Sequence, residues 1–100
     1  MIDKIPEKIK KDAIVNMAKN LSAFRTMLHL TQADLAELIG VGRQTVICIE
    51  NGTRPLTYGN YLSLMFVFSQ YKETEQLLRI FGAYPKELEK IYTEIDDKRR

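Results

Sequence analysis

One hundred residues suffice for one small domain. A composition of 45% hydrophobic and 28% charged residues is typical of a globular chain rather than a disordered one. A net charge of +2 permits a nucleic-acid partner without requiring one. One cysteine and one histidine exclude an internal disulfide and a structural zinc cluster.

The chain shows no pattern typical of export or membrane insertion. The first twenty residues mix lysines and acids with isolated aliphatic residues, so they lack the apolar core of a signal peptide. The most apolar window, Tyr61 to Phe68, is far shorter than the roughly 20 apolar residues that cross a bilayer. We therefore expect a cytoplasmic protein without a membrane partner, forming one domain over residues 1–100.

The amino-terminal part has the periodicity of a helix. Pro6 suits a first helical turn, because its missing N–H is not needed there. The apolar residues that follow fall at alternating spacings of three and four: Ile14, Met17, Leu21, Phe24 and Leu28. This pattern predicts one long helix from Pro6 to Leu28, or two helices with a break near Asn20.

The stretch from Thr31 to Asn51, TQADLAELIGVGRQTVICIEN, has the most informative spacing in the chain. Thr31 and Asp34 stand three residues apart in a capping-box pattern, which predicts a helix start near Gln32. Apolar residues then recur at helical spacing and stop at Gly40, a residue that tolerates the positive φ of a helix end. These apolar residues are Leu35, Ala36 and Ile39.

A second short helix is predicted from Arg43 to Glu50, with Gly42 as its N-cap. Val46 and Ile49 share one face of this helix and are expected to be buried. Two short helices joined by a tight glycine-containing turn cross at a steep angle, and the small side chain of Ala36 lets them approach closely. The pair is therefore predicted to be a helix-turn-helix.

This string of residues resembles the DNA-binding domains of phage repressor and Cro type, the Xre family. The matching residues are Gln32, Leu35, Ala36, Gly40, Val46, Ile49 and the closing Glu50-Asn51-Gly52. The resemblance covers about Leu21 to Phe81 and implies an all-α, lambda-repressor-like fold of about five helices. Residues 1–20 are then an amino-terminal extension, and residues 85–98 an extra carboxy-terminal helix.

After the motif, Pro55 forbids helix continuation, and Thr57 can cap the next helix. That helix, from Tyr58 to about Tyr71, is apolar over more of its circumference than one core face needs. Either it is central to the fold or part of it meets another subunit.

Two shorter elements complete the chain. A helix from Glu73 to Phe81 ends at Gly82, and Pro85 opens a last helix. The apolar stripe of this last helix is formed by Leu88, Ile91, Tyr92 and Ile95. No alternating strand pattern appears, so we expect helices throughout.

The resemblance places base-reading side chains at the start of the second motif helix, where Arg43 and Gln44 stand. Arginine can bind guanine and glutamine can bind adenine bidentately, each pair contributing about 1 to 3 kcal/mol of discrimination. Thr45 is a third candidate, for a phosphate or a thymine methyl group. Cys48 has two equally weighted interpretations, as a groove-facing residue that offers van der Waals contact or as a small buried hydrophobic residue.

The resemblance also implies phosphate contacts and one ion pair. Gln32, at the start of the first motif helix, Asn51 and Arg54 are the expected phosphate-binding residues. Arg25 and Glu50 are expected to form a partly buried ion pair joining the first family helix to the end of the reading helix.

These features lead us to expect a sequence-specific regulator that binds double-stranded DNA as a homodimer and acts as a repressor. The alternative is a protein-interaction module, such as an antitoxin or adaptor, that uses the region from Tyr58 to Arg100 to hold a toxin or another regulator. The residues assemble no acid–base pair, nucleophile or phosphate loop, so we expect no enzyme, cofactor or metal.

Overall fold

A computed structural model describes residues 5–99, apart from the side chain of Tyr92. Within this range every element is a helix, which confirms the all-α prediction. In chain order the helices are α1 (Glu7–Lys19), α2 (Leu21–Met27), α3 (Gln32–Ile39), α4 (Arg43–Glu50), α5 (Tyr58–Ser69), α6 (Lys72–Ile80) and α7 (Lys86–Lys98). The five central helices, α2 to α6, cover the region of the family resemblance.

The amino-terminal stripe is divided between two helices, α1 and α2, with the break at Asn20. The side-chain amide of Asn20 donates to the carbonyl of Asn16 at 2.8 Å, and its backbone N–H donates to the same carbonyl. Asparagine side chains compete in this way with helix continuation. Met17 and Leu21 flank the break and are both buried, so one apolar stripe serves both helices.

Helix α5 is central to the fold and also partly exposed. It contacts α1, α3 and α6, and it buries Tyr61, Leu64, Met65 and Phe68. Phe68 packs against Phe24 of α2 with ring centroids 5.5 Å apart. The opposite side of α5 leaves Phe66 70% exposed. The helix ends at Ser69, two residues earlier than predicted, and the buried Thr74 hydroxyl donates to the Phe68 carbonyl at that end.

Three contacts fix α1 on the rest of the domain. Ala13 and Met17 are buried in the shared core. The side-chain amide of Asn16 donates to the carbonyl of Gly82 at 3.2 Å, and the ammonium of Lys10 lies 4.1 Å from the ring centroid of Tyr58. Gly82 has φ +77, a conformation that other residues rarely adopt, and a Cβ there would lie 2.7 Å from the Asn16 amide nitrogen, so a larger residue would be strained and would displace the Asn16 side chain.

The carboxy-terminal helix is held at its beginning. Pro85 is its N-cap, and Leu88 is buried against the core. Arg79 of α6 donates to Glu89 of α7 at 3.0 Å. Within residues 5–99, no helix combines the length and the apolar character that a bilayer crossing would require.

Replacing Phe24 by alanine should lower the free energy of unfolding by about 3–5 kcal/mol, because the Phe24 side chain of α2 is fully buried and packs against Phe68 of α5. Phe66→Ala is the matched control, since the same atoms are removed from a side chain that is 70% exposed. Its effect should stay within about 0.5 kcal/mol. Urea denaturation measures both, and equal losses would contradict this description of the core.

Candidate nucleic-acid interface

Helix α3 begins with a complete capping box. The Thr31 hydroxyl accepts the backbone N–H of Asp34 at 3.0 Å, and the Asp34 carboxylate accepts the backbone N–H of Thr31 at 2.9 Å. The hydrogen bond from the Thr31 backbone lowers the pKa of the Asp34 carboxyl. These bonds fix the first turn, so the N–H groups at the start of α3 have a defined direction beside Gln32.

A tight turn joins α3 to α4. Gly40 ends α3 in the left-handed region, with φ 75 and ψ 33, and the N–H of Val41 donates to the Ala36 carbonyl at 3.0 Å. Gly42 is the N-cap of α4. Because Ala36 is buried and small, α3 and α4 approach closely and cross as a helix-turn-helix.

The two faces of α4 differ in burial. Val46 and Ile49 are buried in the core beneath the neighbouring helices. Arg43 and Gln44 are exposed at the amino-terminal end of the helix. The buried face therefore orients α4 so that its first turn presents a cation and an amide to solvent.

Three of the four candidate reading residues, Gln44, Thr45 and Cys48, have partners within the protein. The Gln44 amide donates to the Cys48 sulfur at 3.5 Å, and the Arg54 guanidinium donates to the Thr45 hydroxyl at 2.7 Å. The Arg43 side chain makes no hydrogen bond or ion pair to any residue in the described range. Its guanidinium is therefore available to a ligand without the loss of an internal contact.

Cys48 is partly exposed and so is not the fully buried residue of one interpretation. A hydrogen bond from Thr53 lowers the pKa of the Cys48 thiol, with smaller effects from Gln44 and from the positive charge of Arg54. Cys48 thus belongs to the polar edge of α4.

The loop after α4 folds back onto the end of that helix. The backbone N–H groups of Thr53 and Arg54 both donate to the Cys48 carbonyl, at 3.0 and 3.2 Å. The Asn51 side-chain oxygen accepts the backbone N–H of Thr53 at 3.0 Å and its hydroxyl at 2.6 Å. These bonds hold Asn51 and Arg54 beside the reading face. Thr53 was not a candidate residue, although the Asn-Gly-Thr sequence is typical of a turn.

Arg25 and Glu50 are joined by two hydrogen bonds. The guanidinium Nε donates to one carboxylate oxygen at 2.7 Å and Nη2 to the other at 3.1 Å. The two side chains are only 13% and 8% exposed. The hydrogen bonds to Glu50 raise the pKa of Arg25. The pair connects α2 to the last turn of α4.

The ion pair has two further partners that the sequence did not indicate. The Arg25 Nη1 donates to the Leu30 carbonyl at 2.9 Å, and the Gln32 amide donates to Glu50 at 3.1 Å. Gln32 therefore helps to position Glu50 and has one amide N–H and its oxygen left for another ligand. We call Arg25, Leu30, Gln32 and Glu50 the clamp.

No cluster of three metal-binding side chains occurs among the residues that the structure describes. Exposed hydrogen-bond donors lie on α4 and on the loop after it. The predicted site residues fall into two groups. Those on α4 or on the loop after it are Arg43, Gln44, Thr45, Cys48, Asn51 and Arg54. Arg25 and Gln32 lie in the clamp with Glu50.

Glu50→Gln should lower the free energy of unfolding by about 3 kcal/mol, because it leaves the Arg25 charge poorly solvated and without a carboxylate. Asp12→Asn is the matched control, since Asp12 accepts from Lys8 at 3.0 Å but both side chains are at least 60% exposed. That change should cost less than about 1 kcal/mol.

A double-mutant cycle with Arg25→Met separates the ion pair from other effects. The double variant Arg25→Met/Glu50→Gln should lose less stability than the sum of the two single variants. Additive losses, or equal losses for Glu50→Gln and Asp12→Asn, would contradict a buried ion pair at this position.

Comparisons with known proteins find similarity to helix-turn-helix proteins. The family model described as helix-turn-helix matches residues 21–64. An uncharacterized HTH-type transcriptional regulator from Methanocaldococcus jannaschii is 40% identical over 55 residues, which are 55% of this chain and 77% of that protein. No solved structure matches at a significant level.

Proposed function

The chain belongs to the Xre family of helix-turn-helix proteins, and from that premise we propose that it is a sequence-specific DNA-binding transcription regulator that acts as a repressor. The reading helix is α4, which enters the major groove. The observation that carries the proposal is the division of α4 into a face buried through Val46 and Ile49 and an edge exposed at Arg43 and Gln44.

Sequence reading falls mainly to the first turn of α4. Arg43 reads guanine through its free guanidinium. Gln44 reads adenine after releasing its hydrogen bond to the Cys48 sulfur, which costs little to exchange because a thiol sulfur is a weak acceptor. Farther along the same edge, Thr45 contacts a phosphate or a thymine methyl group, and Cys48 makes van der Waals contact in the groove.

The duplex backbone is held from both ends of the motif. The N–H groups at the start of α3 and the free part of the Gln32 amide face one phosphate. Asn51 and Arg54, held by the loop, contact phosphates on the other side of the reading edge. Because Arg54 donates to Thr45 in the free protein, its move to a phosphate also releases the Thr45 hydroxyl.

Arg43→Ala should weaken binding to the preferred duplex by about 1 to 3 kcal/mol and reduce discrimination at one base pair, since a bidentate guanine contact is lost. Arg54→Ala is the comparison, because a lost phosphate contact weakens all duplexes alike and makes the salt dependence shallower. The preferred duplex comes from selection of genomic fragments by the purified protein, and fluorescence polarisation measures the affinities. Absence of duplex binding at low salt would contradict the proposed function.

We propose that the protein binds as a homodimer on an operator with two half-sites about 34 to 36 Å apart. Light scattering of the complex should then give two protomers for each duplex with both half-sites. A duplex with one half-site should bind more weakly, because the second protomer loses its contacts. A single protomer bound equally well to both duplexes would argue against the dimer.

The second candidate function is a protein-interaction module, such as an antitoxin or adaptor that holds a toxin or another regulator. One observation favours it, an apolar groove of about 280 Å³ whose lining includes Leu38, Phe66 and Tyr71, all of them exposed. Monomeric protein that copurifies with a stoichiometric partner and binds no duplex would favour this function over the first. In either case we propose a cytoplasmic binding protein without a catalytic role.

A further inference from the structure

A groove of about 480 Å³ lies between α1 and the loop that follows α4. On the α1 side it is lined by Val15 and Lys19, and on the loop side by Asn51, Arg54 and Pro55. Asn51 and Arg54 are the phosphate-binding residues proposed above. Lys19 therefore shares a surface with the backbone-binding edge, although it lies outside the residues 21–64 that match the family.

The position of Lys19 relative to α4 is fixed. Its helix is held by two buried residues, Ala13 and Met17, and by the hydrogen bond from Asn16 to the carbonyl of Gly82. Helix α1 also contacts α4 directly. Binding through a side chain on such a rigid element costs less conformational entropy than binding through a side chain on a free terminus.

The Lys19 ammonium is not committed to another group in the described part of the chain. No carboxylate there lies within ion-pair distance of it, and Glu50, which lines the same groove, is already engaged by Arg25 and Gln32. The end of α1 is capped by the Asn20 amide rather than by the lysine. Lys19 therefore adds an uncompensated positive charge to a groove that already contains Arg54.

We infer that Lys19 is a further phosphate-binding residue and that α1 extends the DNA-backbone contact beyond the helix-turn-helix. The inference rests on the proposed DNA-binding function and adds a residue to that interface. A phosphate in the groove would be attracted by the positive charges of Lys19 and Arg54, and the side-chain amide of Asn51, which lines the same groove, would supply a neutral donor. The partner is the sugar-phosphate backbone, so the contact is independent of base sequence.

The test measures the affinity of Lys19→Gln for a mixed-sequence duplex at salt concentrations between about 50 and 200 mM, with fluorescence polarisation as the readout. The slope of log affinity against log salt should become shallower by about 0.9 for each bound protomer, since one phosphate is no longer neutralised. Lys19→Arg keeps the charge and should keep the slope of the unchanged protein. Thermal unfolding should be the same for all variants, because Lys19 is exposed.

Lys11→Gln is the matched control. Lys11 is an exposed lysine of the same helix, about 12 Å farther along its axis, and it does not line the groove. Its replacement removes the same charge and should leave the slope unchanged. A slope for Lys19→Gln equal to that of the unchanged protein, or an equal change for Lys11→Gln, would overturn the inference while the proposed function stands. Absence of duplex binding by the unchanged protein would overturn both.

Discussion

The clamp formed by Arg25, Leu30, Gln32 and Glu50 fixes the geometry on which the interface depends. Its hydrogen bonds join α2, the loop before α3, the first residue of α3 and the last residue of α4. A buried ion pair adds little net stability, because desolvation offsets much of the attraction. Its contribution is that another placement of α4 against α2 would leave a charge without its partner, while the hydrogen bond from Gln32 joins α3 to the same carboxylate.

The reading edge, formed by Arg43, Gln44, Thr45 and Cys48 of α4, combines a rigid backbone with side chains that differ in whether they already have a hydrogen-bond partner. Val46 and Ile49 hold the axis of α4, and the Cys48 carbonyl holds the loop that carries Arg54. Arg43 is free, whereas Thr45 and Arg54 begin in contact with each other. Binding to Arg43 therefore displaces only water, while a phosphate at Arg54 must compete with a 2.7 Å hydrogen bond. The proposed base-reading cation, Arg43, is thus more readily available to a ligand than the proposed phosphate-binding cation, Arg54.

The structural features best predicted from the sequence are those that depend only on residues close together in the chain. The capping box of Thr31 and Asp34 and the positive φ of Gly40 follow from local hydrogen bonds and sterics, so their positions could be read directly. The contact between Gln32 and Glu50 joins residues 18 positions apart, and an exposed glutamine would have fitted the same pattern. For the same reason the groove beside Lys19 could not be predicted, because spacing along the chain does not say which loop a helix end will face.

Helix α1 shows how an addition to a small fold can change both stability and interface. A core of five short helices buries limited apolar surface, and Ala13 and Met17 of α1 enlarge it. The same packing that buries these two residues determines which side of α1 remains outside. Since α1 ends at Lys19, before the break at Asn20, its last exposed side chain lines the same groove as Asn51 of the loop after α4. Enlarging the core and extending the charged edge are therefore two results of one packing arrangement.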